Sequence, residues 1–152
     1  MVKYLLGIAG IIGVDQWIKE KIEKTREINE KKPVLAGRII VTKHHNRGAA
    51  LNVMEKKPKI ILGAACITFG YVIILLRQVF SEEGNPLVKL GISLIAGGGF
   101  SNIFDRLKRG YVVDYFIINC GKLKKVIFNL ADICIFAGGF FMIIGEFLAG
   151  KK

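Results

Sequence analysis

The chain has 152 residues, 52% of them hydrophobic, and a formal net charge of +11. Its length suits one domain, and its apolar content and mean hydropathy of +0.44 exceed what an ordinary soluble domain carries. A soluble protein this basic would suggest nucleic acid, but most of these lysines and arginines flank apolar stretches, so membrane phospholipids are the expected partner and nucleic acid is not.

Four apolar stretches are predicted to be membrane-spanning helices, at about 2–18, 60–80, 87–104 and 131–148. Each approaches the roughly 20 residues a helix needs to cross the hydrocarbon, and helices are the form in which a single segment satisfies its own backbone in lipid. The first begins like a signal peptide, with Lys3 before an apolar run, but Asp15-Gln16-Trp17 stands where a small-residue cleavage site belongs, so a retained helix is expected. Residues 19–59 form a long charged loop whose first part alternates Lys and Glu and extends the first helix; Arg38-Ile39-Ile40-Val41-Thr42 then reads as a short strand. A short turn with Glu82, Glu83, Gly84 and Pro86 joins the second and third stretches. The loop over 106–130 holds a second β-like run, Tyr111 to Phe116. Cys66, Cys120 and Cys134 show neither a disulfide framework nor zinc spacing, and Cys66 and Cys134, lying inside apolar runs, read as buried thiols.

Four spans place both termini on one side and the first and third loops on the other. The unusual polar residues then gather at one face: Asp15, Gln16 and Lys19 late in the first helix, Asn46 and Asn52 entering the second, Asn102, Asp105 and Arg106 ending the third, Asp114 in the last loop, and Asn129 and Asp132 opening the fourth. Ionisable groups near lipid are costly and point to function. The two histidines, His44 and His45, are adjacent, which disfavours a histidine-rich metal site; neither metal nor cofactor is expected. Ser101 and the cysteines have no well-placed base. A pair of carboxylates remains, able to share a proton and to act as base and acid in hydrolysis. Asn129, three residues before Asp132, is placed to cap the fourth helix and orient that carboxylate, and Asp15 and Lys19, four apart on a helix, suit an ion pair at the membrane edge.

These motifs carry a resemblance to a known family. Asp15-Gln16 with Lys19, Asn46-Arg47-Gly48-Ala49-Ala50, Gly97-Gly98 leading to Asn102-Ile103-Phe104-Asp105-Arg106, Gly110-Tyr111-Val112-Val113-Asp114-Tyr115 and Phe128-Asn129-Leu130-Ala131-Asp132 occur in the order found in lipoprotein signal peptidases, or signal peptidase II. The resemblance covers nearly the whole chain. It implies an all-α membrane protein of four transmembrane helices, forming one peptidase domain over 1–152, and the β-like run near Arg38–Thr42 with the long first loop is expected to add a small extracytoplasmic β-containing platform over the site. It also implies an aspartic endopeptidase of the bacterial inner membrane, cutting diacylglyceryl-modified prolipoproteins before the lipidated cysteine and inhibited by globomycin; a monomer is the default expectation. Asp114 and Asp132 match the catalytic pair. Asn46, Asn102, Arg106 and Asn129 match residues that line or brace the site, Gly48 and Ala50 belong to the same matching motif, and Asp15 and Asp105 match positions for which structural roles are expected. Leu51 stands where the family usually has an aromatic, and Ser101 where it has Gly.

The charge distribution opposes the implied orientation. The loops on the site's face hold 18 Lys and Arg against 5 elsewhere, so the positive-inside rule alone inverts the protein. Access to exported substrates favours the family's orientation, with the basic loops lying on anionic lipid. Two other readings compete. A small transporter or proton relay is disfavoured by polar residues at one face rather than the midplane. A non-catalytic relative that only binds lipoproteins or lipids is disfavoured by the intact Asp114 and Asp132.

Overall fold

The computed structural model describes residues 1–48, 53–81 and 85–150. Four long helices, α1 (Val2–Thr25), α2 (Pro58–Ser81), α3 (Pro86–Arg109) and α4 (Leu130–Ala149), carry a small sheet of β1 (Lys32–Val34), β2 (Ile39–Asn46) and β3 (Val112–Ile118), with a short 3-10 turn at Gly121–Lys125. The strand order is β1-β2-β3 and both pairings are antiparallel. The two sequence-read strands are thus present; β2 runs further because cross-strand pairing carries polar residues such as His44 and Asn46 into the ladder, and β3 continues through Ile117 and Ile118.

Local chemistry sets the helix ends. Asn85 caps α3 by accepting from the Leu87 N–H, Pro86 follows at the first position, and Gly110, at φ +80°, ends the helix in the left-handed conformation that glycine adopts without strain. Arg106, Lys108 and Arg109 occupy the last turn, where they complement the helix dipole. α1 runs on to Thr25 and α3 to Arg109, so Asn102, Asp105 and Arg106 lie within the last turns of a continuing helix rather than at its end.

α3 packs against the other three helices. It meets α4 in antiparallel fashion through small residues. A Cβ on Gly91 would stand 2.6 Å from the Gly138 carbonyl oxygen, one on Gly98 would stand 2.4 Å from that of Ala131, and one on Gly145 would stand 2.7 Å from Val88. Backbones this close gain dispersion contacts, which hold helices together where lipid removes the hydrophobic drive. The opposite surfaces face outward: α2 buries no residue, and Ile67, Phe136 and Ile143 are exposed. Cys66 shares this outward surface, so the expectation of a buried thiol there is corrected, while Cys134 is buried. The reason is that α2 packs chiefly on α3 alone and leaves its remaining faces outward.

Among the described residues three helices, α2, α3 and α4, are long and apolar enough to cross a membrane; α1 is as long but fails on composition. The sequence expectation of four spans is therefore met by three on this criterion, because Asp15 and Lys19 sit within α1. The sheet lies at the end where α1 and α3 finish and α4 begins. Its inner face packs Val113 and Tyr115 against Ile22 and Ile18 of α1 and Leu130 of α4. His45 stacks on Tyr111 at 3.9 Å and contacts Glu23 at 2.8 Å, tying the sheet to the end of α1.

Candidate active site

The chain leaves β3, turns through the 3-10 segment and returns so that Phe128 bonds back to Tyr115 and Phe116, its own N–H donating to the Phe116 carbonyl at 2.7 Å. That return places Asn129, the next residue, beside Asp114. Asn129 also opens α4: its Oδ1 accepts from the Asp132 N–H at 2.9 Å, and its own N–H donates to Asp132 Oδ2 at 3.1 Å, a reciprocal capping box. With its remaining amide group Asn129 donates to Asp114 Oδ1 at 2.7 Å. One asparagine therefore touches both aspartates.

Two further asparagines complete the setting. Asn46, at the end of β2, donates to Asp114 Oδ2 at 3.0 Å, and Asn102, on α3, donates to Asp132 Oδ1 at 2.9 Å. Asn46 Oδ1 in turn accepts from the Gly48 N–H, while Arg106 donates to the Gly48 carbonyl at 3.0 Å and the Asn102 carbonyl at 3.3 Å. Asp114 and Asp132 open on one cavity of about 160 Å³, lined on its polar side by Asn46, Asn102 and Arg106 and walled by Val112, Val126, Ile127, Phe128, Ile135 and Phe136. Asp114 is 3% exposed. Burial, aided by the negative charge of Asp132, pushes its pKa up to about 7 against the opposing hydrogen bonds from Asn46 and Asn129. A carboxyl that is neutral near pH 7 can donate a proton, and a second carboxylate at the same cavity can accept one.

A second polar cluster lies directly behind this one. Lys19 and Asp15 do form their ion pair, at 2.7 Å, but both are wholly buried rather than at a membrane edge. Asp105, also wholly buried, adds a second carboxylate 3.1 Å from the ammonium. Asp15 accepts from Ser101 Oγ at 2.6 Å, the Tyr115 hydroxyl at 3.1 Å and the Ala131 N–H at 3.3 Å, which joins α1, α3, β3 and α4. Asp105 accepts from Gln16, Arg109 and the Val113 N–H. Asp105 and Arg106, adjacent in sequence, thus face different partners. Burying charges is costly unless they are paired and hydrogen-bonded, and here each carboxylate has several donors.

Of the residues singled out from sequence, Asp114, Asp132, Asn46, Asn102, Arg106, Asn129 and Gly48 converge on the cavity or its rim, and Asp15 and Asp105 brace it from behind. Ala50, Leu51 and Asn52 lie outside the described residues. Ser101 is fully buried and fills its place with a bond to Asp15, so α3 keeps close contact with α1 there. Sequence reasoning assigned no role to Tyr115 or Arg109. For Tyr115 the signal was strand alternation: next to Asp114, it points to the opposite face.

Fold and site together define a multi-pass membrane protein with a paired-carboxylate pocket at one end of its helices. The profile of the signal peptidase (SPase) II family matches residues 7–148. A lipoprotein signal peptidase of Brevibacillus brevis is 33% identical over 150 residues, covering 98% of this chain and 97% of the relative; one of Lactiplantibacillus plantarum is 34% identical over 145 residues, covering 93% and 92%. A bacterial membrane enzyme solved by the in meso method at 2.3 Å superposes with a TM-score of 0.86 at 27% identity, over 100% of this chain and 93% of that one. The chain belongs to the signal peptidase II family and is accordingly a peptidase.

Proposed function

We propose that this protein is an aspartic endopeptidase that removes signal peptides from diacylglyceryl-modified prolipoproteins, cutting before the lipidated cysteine, with Asp114 and Asp132 as its catalytic pair. The observation that carries this reading is that both carboxylates open on one cavity while sharing Asn129. Asp132 takes a proton from a water as its oxygen adds to the scissile carbonyl carbon. Neutral Asp114 gives its proton to the carbonyl oxygen; the proton taken up by Asp132 then passes to the amide nitrogen as the C–N bond breaks, and Asp114 recovers its proton as the carbonyl reforms. Asn46 and Asn102 hold the two carboxylates in place, and Arg106 fixes the backbone at Gly48.

The apolar walls suit a substrate that arrives within the bilayer. Ile135 and Phe136 of α4 line the cavity while Phe136 also faces outward, so the opening reaches the lipid-facing surface. A neighbouring apolar hollow between α2 and α3, with Phe69, Val72 and Ile103, shares Asn102, Arg106 and Ile135 with the first. We assign α1 as the fourth span. Its 24 residues reach about 36 Å at 1.5 Å each, Asp15 and Lys19 neutralise each other inside the bundle, and Leu6 and Trp17 turn outward. The protein then sits in the bacterial inner membrane as a monomer with its sheet on the extracytoplasmic side, where the exposed basic residues of the loops rest on anionic phospholipid. Cysteine labelling at Lys57 and Lys151 in intact cells checks the placement; a cytoplasmic Lys57 overturns it.

The direct test is incubation of purified protein with a diacylglyceryl-modified prolipoprotein. A shortened product, suppressed by globomycin, is expected. The rate has a defined dependence on pH. Asp114 is neutral below about 7 and ionises above it, so the rate falls as pH rises through 7, by about tenfold per unit beyond it. A rate that stays flat from neutral to strongly alkaline pH removes Asp114 from the donor role.

A further inference from the structure

The three asparagines of the site are not equivalent. Each presents its NH2 to a carboxylate because its own oxygen is engaged elsewhere. For Asn46 the engaging donor is the Gly48 N–H, and for Asn129 it is the Asp132 N–H, both neutral backbone groups. For Asn102 it is the Lys19 ammonium, at 2.9 Å. We propose that Lys19 is a positioning residue that, acting through Asn102, directs the negative charge of the pair onto Asp132 and leaves the proton on Asp114. This rests on the paired-carboxylate reading above.

An ammonium has three donors and no acceptor. Lys19 uses them on Asp15 at 2.7 Å, Asp105 at 3.1 Å and Asn102 at 2.9 Å. The Asn102 oxygen must therefore face Lys19, since a flipped amide would set NH2 against ammonium and oxygen against carboxylate. The amide that remains donates to Asp132 Oδ1 at 2.9 Å. Lys19 is wholly buried, so water does not screen it. The line of donors behind Asp132 thus ends on a buried cation, and both lines behind Asp114 end on neutral amides.

The surrounding charges do not supply the same bias. Asp15 and Asp105 surround Lys19, and Arg109 pairs with Asp105 and Glu20, so the cluster carries little net charge. Arg106 lines the cavity that both carboxylates share. Asp132 also accepts the Asn129 N–H at the start of α4, a neutral donor; the direct bond through Asn102 adds a cation to that setting. The arrangement also gives a reason for burying two carboxylates and an ammonium in the bundle: Asp15 and Asp105 hold the ammonium at the one place from which it reaches Asn102.

The test is the double substitution Lys19→Met with Asp105→Asn. It removes one positive and one negative charge together, and Asp15 keeps its bonds from Ser101, Tyr115 and Ala131. Folding is followed by thermal unfolding, and kcat/KM for a diacylglyceryl-modified prolipoprotein is measured across pH. Loss of the cation makes Asp132 harder to ionise, so the acid limb of the profile moves up by about one pH unit, about tenfold in kcat/KM on that limb. The change falls on kcat more than on KM. A folded double variant with the limb of the parent protein overturns the proposal. If the double variant does not fold, Asn102→Leu, which leaves Lys19 in its ion pairs, takes its place, and an unmoved limb there is again the overturning result. Failure of the underlying reading looks different: Asp132→Asn then retains turnover, whereas failure of this proposal alone leaves Asp132→Asn inactive and the limb unmoved.

Discussion

Asp114→Asn and Asp132→Asn are each expected to abolish cleavage of a diacylglyceryl-modified prolipoprotein, a loss of about 10²–10⁴-fold or more, while the protein stays folded. The size follows from what each change removes. A neutral amide in place of the Asp132 carboxylate could not take a proton from water, and one in place of the Asp114 carboxyl could not give one up to the substrate. The fold survives because neither side chain carries the packing. The Asp132 side chain accepts from the Asn129 N–H, and an amide oxygen can do the same; a weakened cap costs about 1 kcal/mol. At Asp114 the amide keeps one of the two asparagine donors. The glycine contacts of α3 with α4, at Gly91, Gly98 and Gly138, are made by backbone that neither change alters. Product formation on a gel reads the activity, and thermal unfolding in detergent reads the fold. Near-normal turnover by either variant, folded, refutes the pair.

Gly98→Ala is expected to cost about 10²-fold in activity although Gly98 touches no reacting group. Its new Cβ would stand 2.4 Å from the Ala131 carbonyl oxygen and 3.0 Å from Ile135. The first neighbour is backbone and cannot rotate away, so α3 and α4 must part by about 1 Å to restore van der Waals contact. Ala131 immediately precedes Asp132, and Asn102, one helical turn beyond Gly98, donates to Asp132. The separation therefore falls on the bond that holds the carboxylate, and misplacement on the order of 1 Å at a reacting group is worth about this much. Gly139→Ala, on α4 with nothing within 4 Å of its Cβ, is the control and should leave the rate unchanged. Equal rates for the two variants would show that α3 and α4 tolerate separation and that the close approach is not what places Asp132.

Much of the site was legible before any coordinates. Asp114, Asp132 and the three asparagines stood out because polar groups next to long apolar stretches have few reasons to be there other than chemistry. The capping role of Asn129 followed from its spacing to Asp132, since a cap bonds two or three residues onward whatever surrounds it. Asp15 and Lys19 were legible as a pair for the same reason of helical spacing. Their burial was not legible, because it depends on α3 bringing Asp105 and Ser101 against that face of α1. Composition misled at Cys66, since an apolar helix buries its residues in a soluble core and displays them in a membrane.

By itself the sequence determined the quantities that depend on neighbours along the chain: four long helices, two strand-forming stretches, the cap at Asn129, and the collection of acids and amides at one end. Tertiary structure alone decided which amide faces which carboxylate. Asn46 and Asn129 both turn to Asp114, Asn102 turns to Asp132, and only Asn102 is backed by an ammonium. The physical reason is that a hydrogen bond is made over about 3 Å, and residues 46, 102, 114 and 132 come within that reach only when the glycine-lined contact of α3 with α4 and the pairing of β2 with β3 have been made.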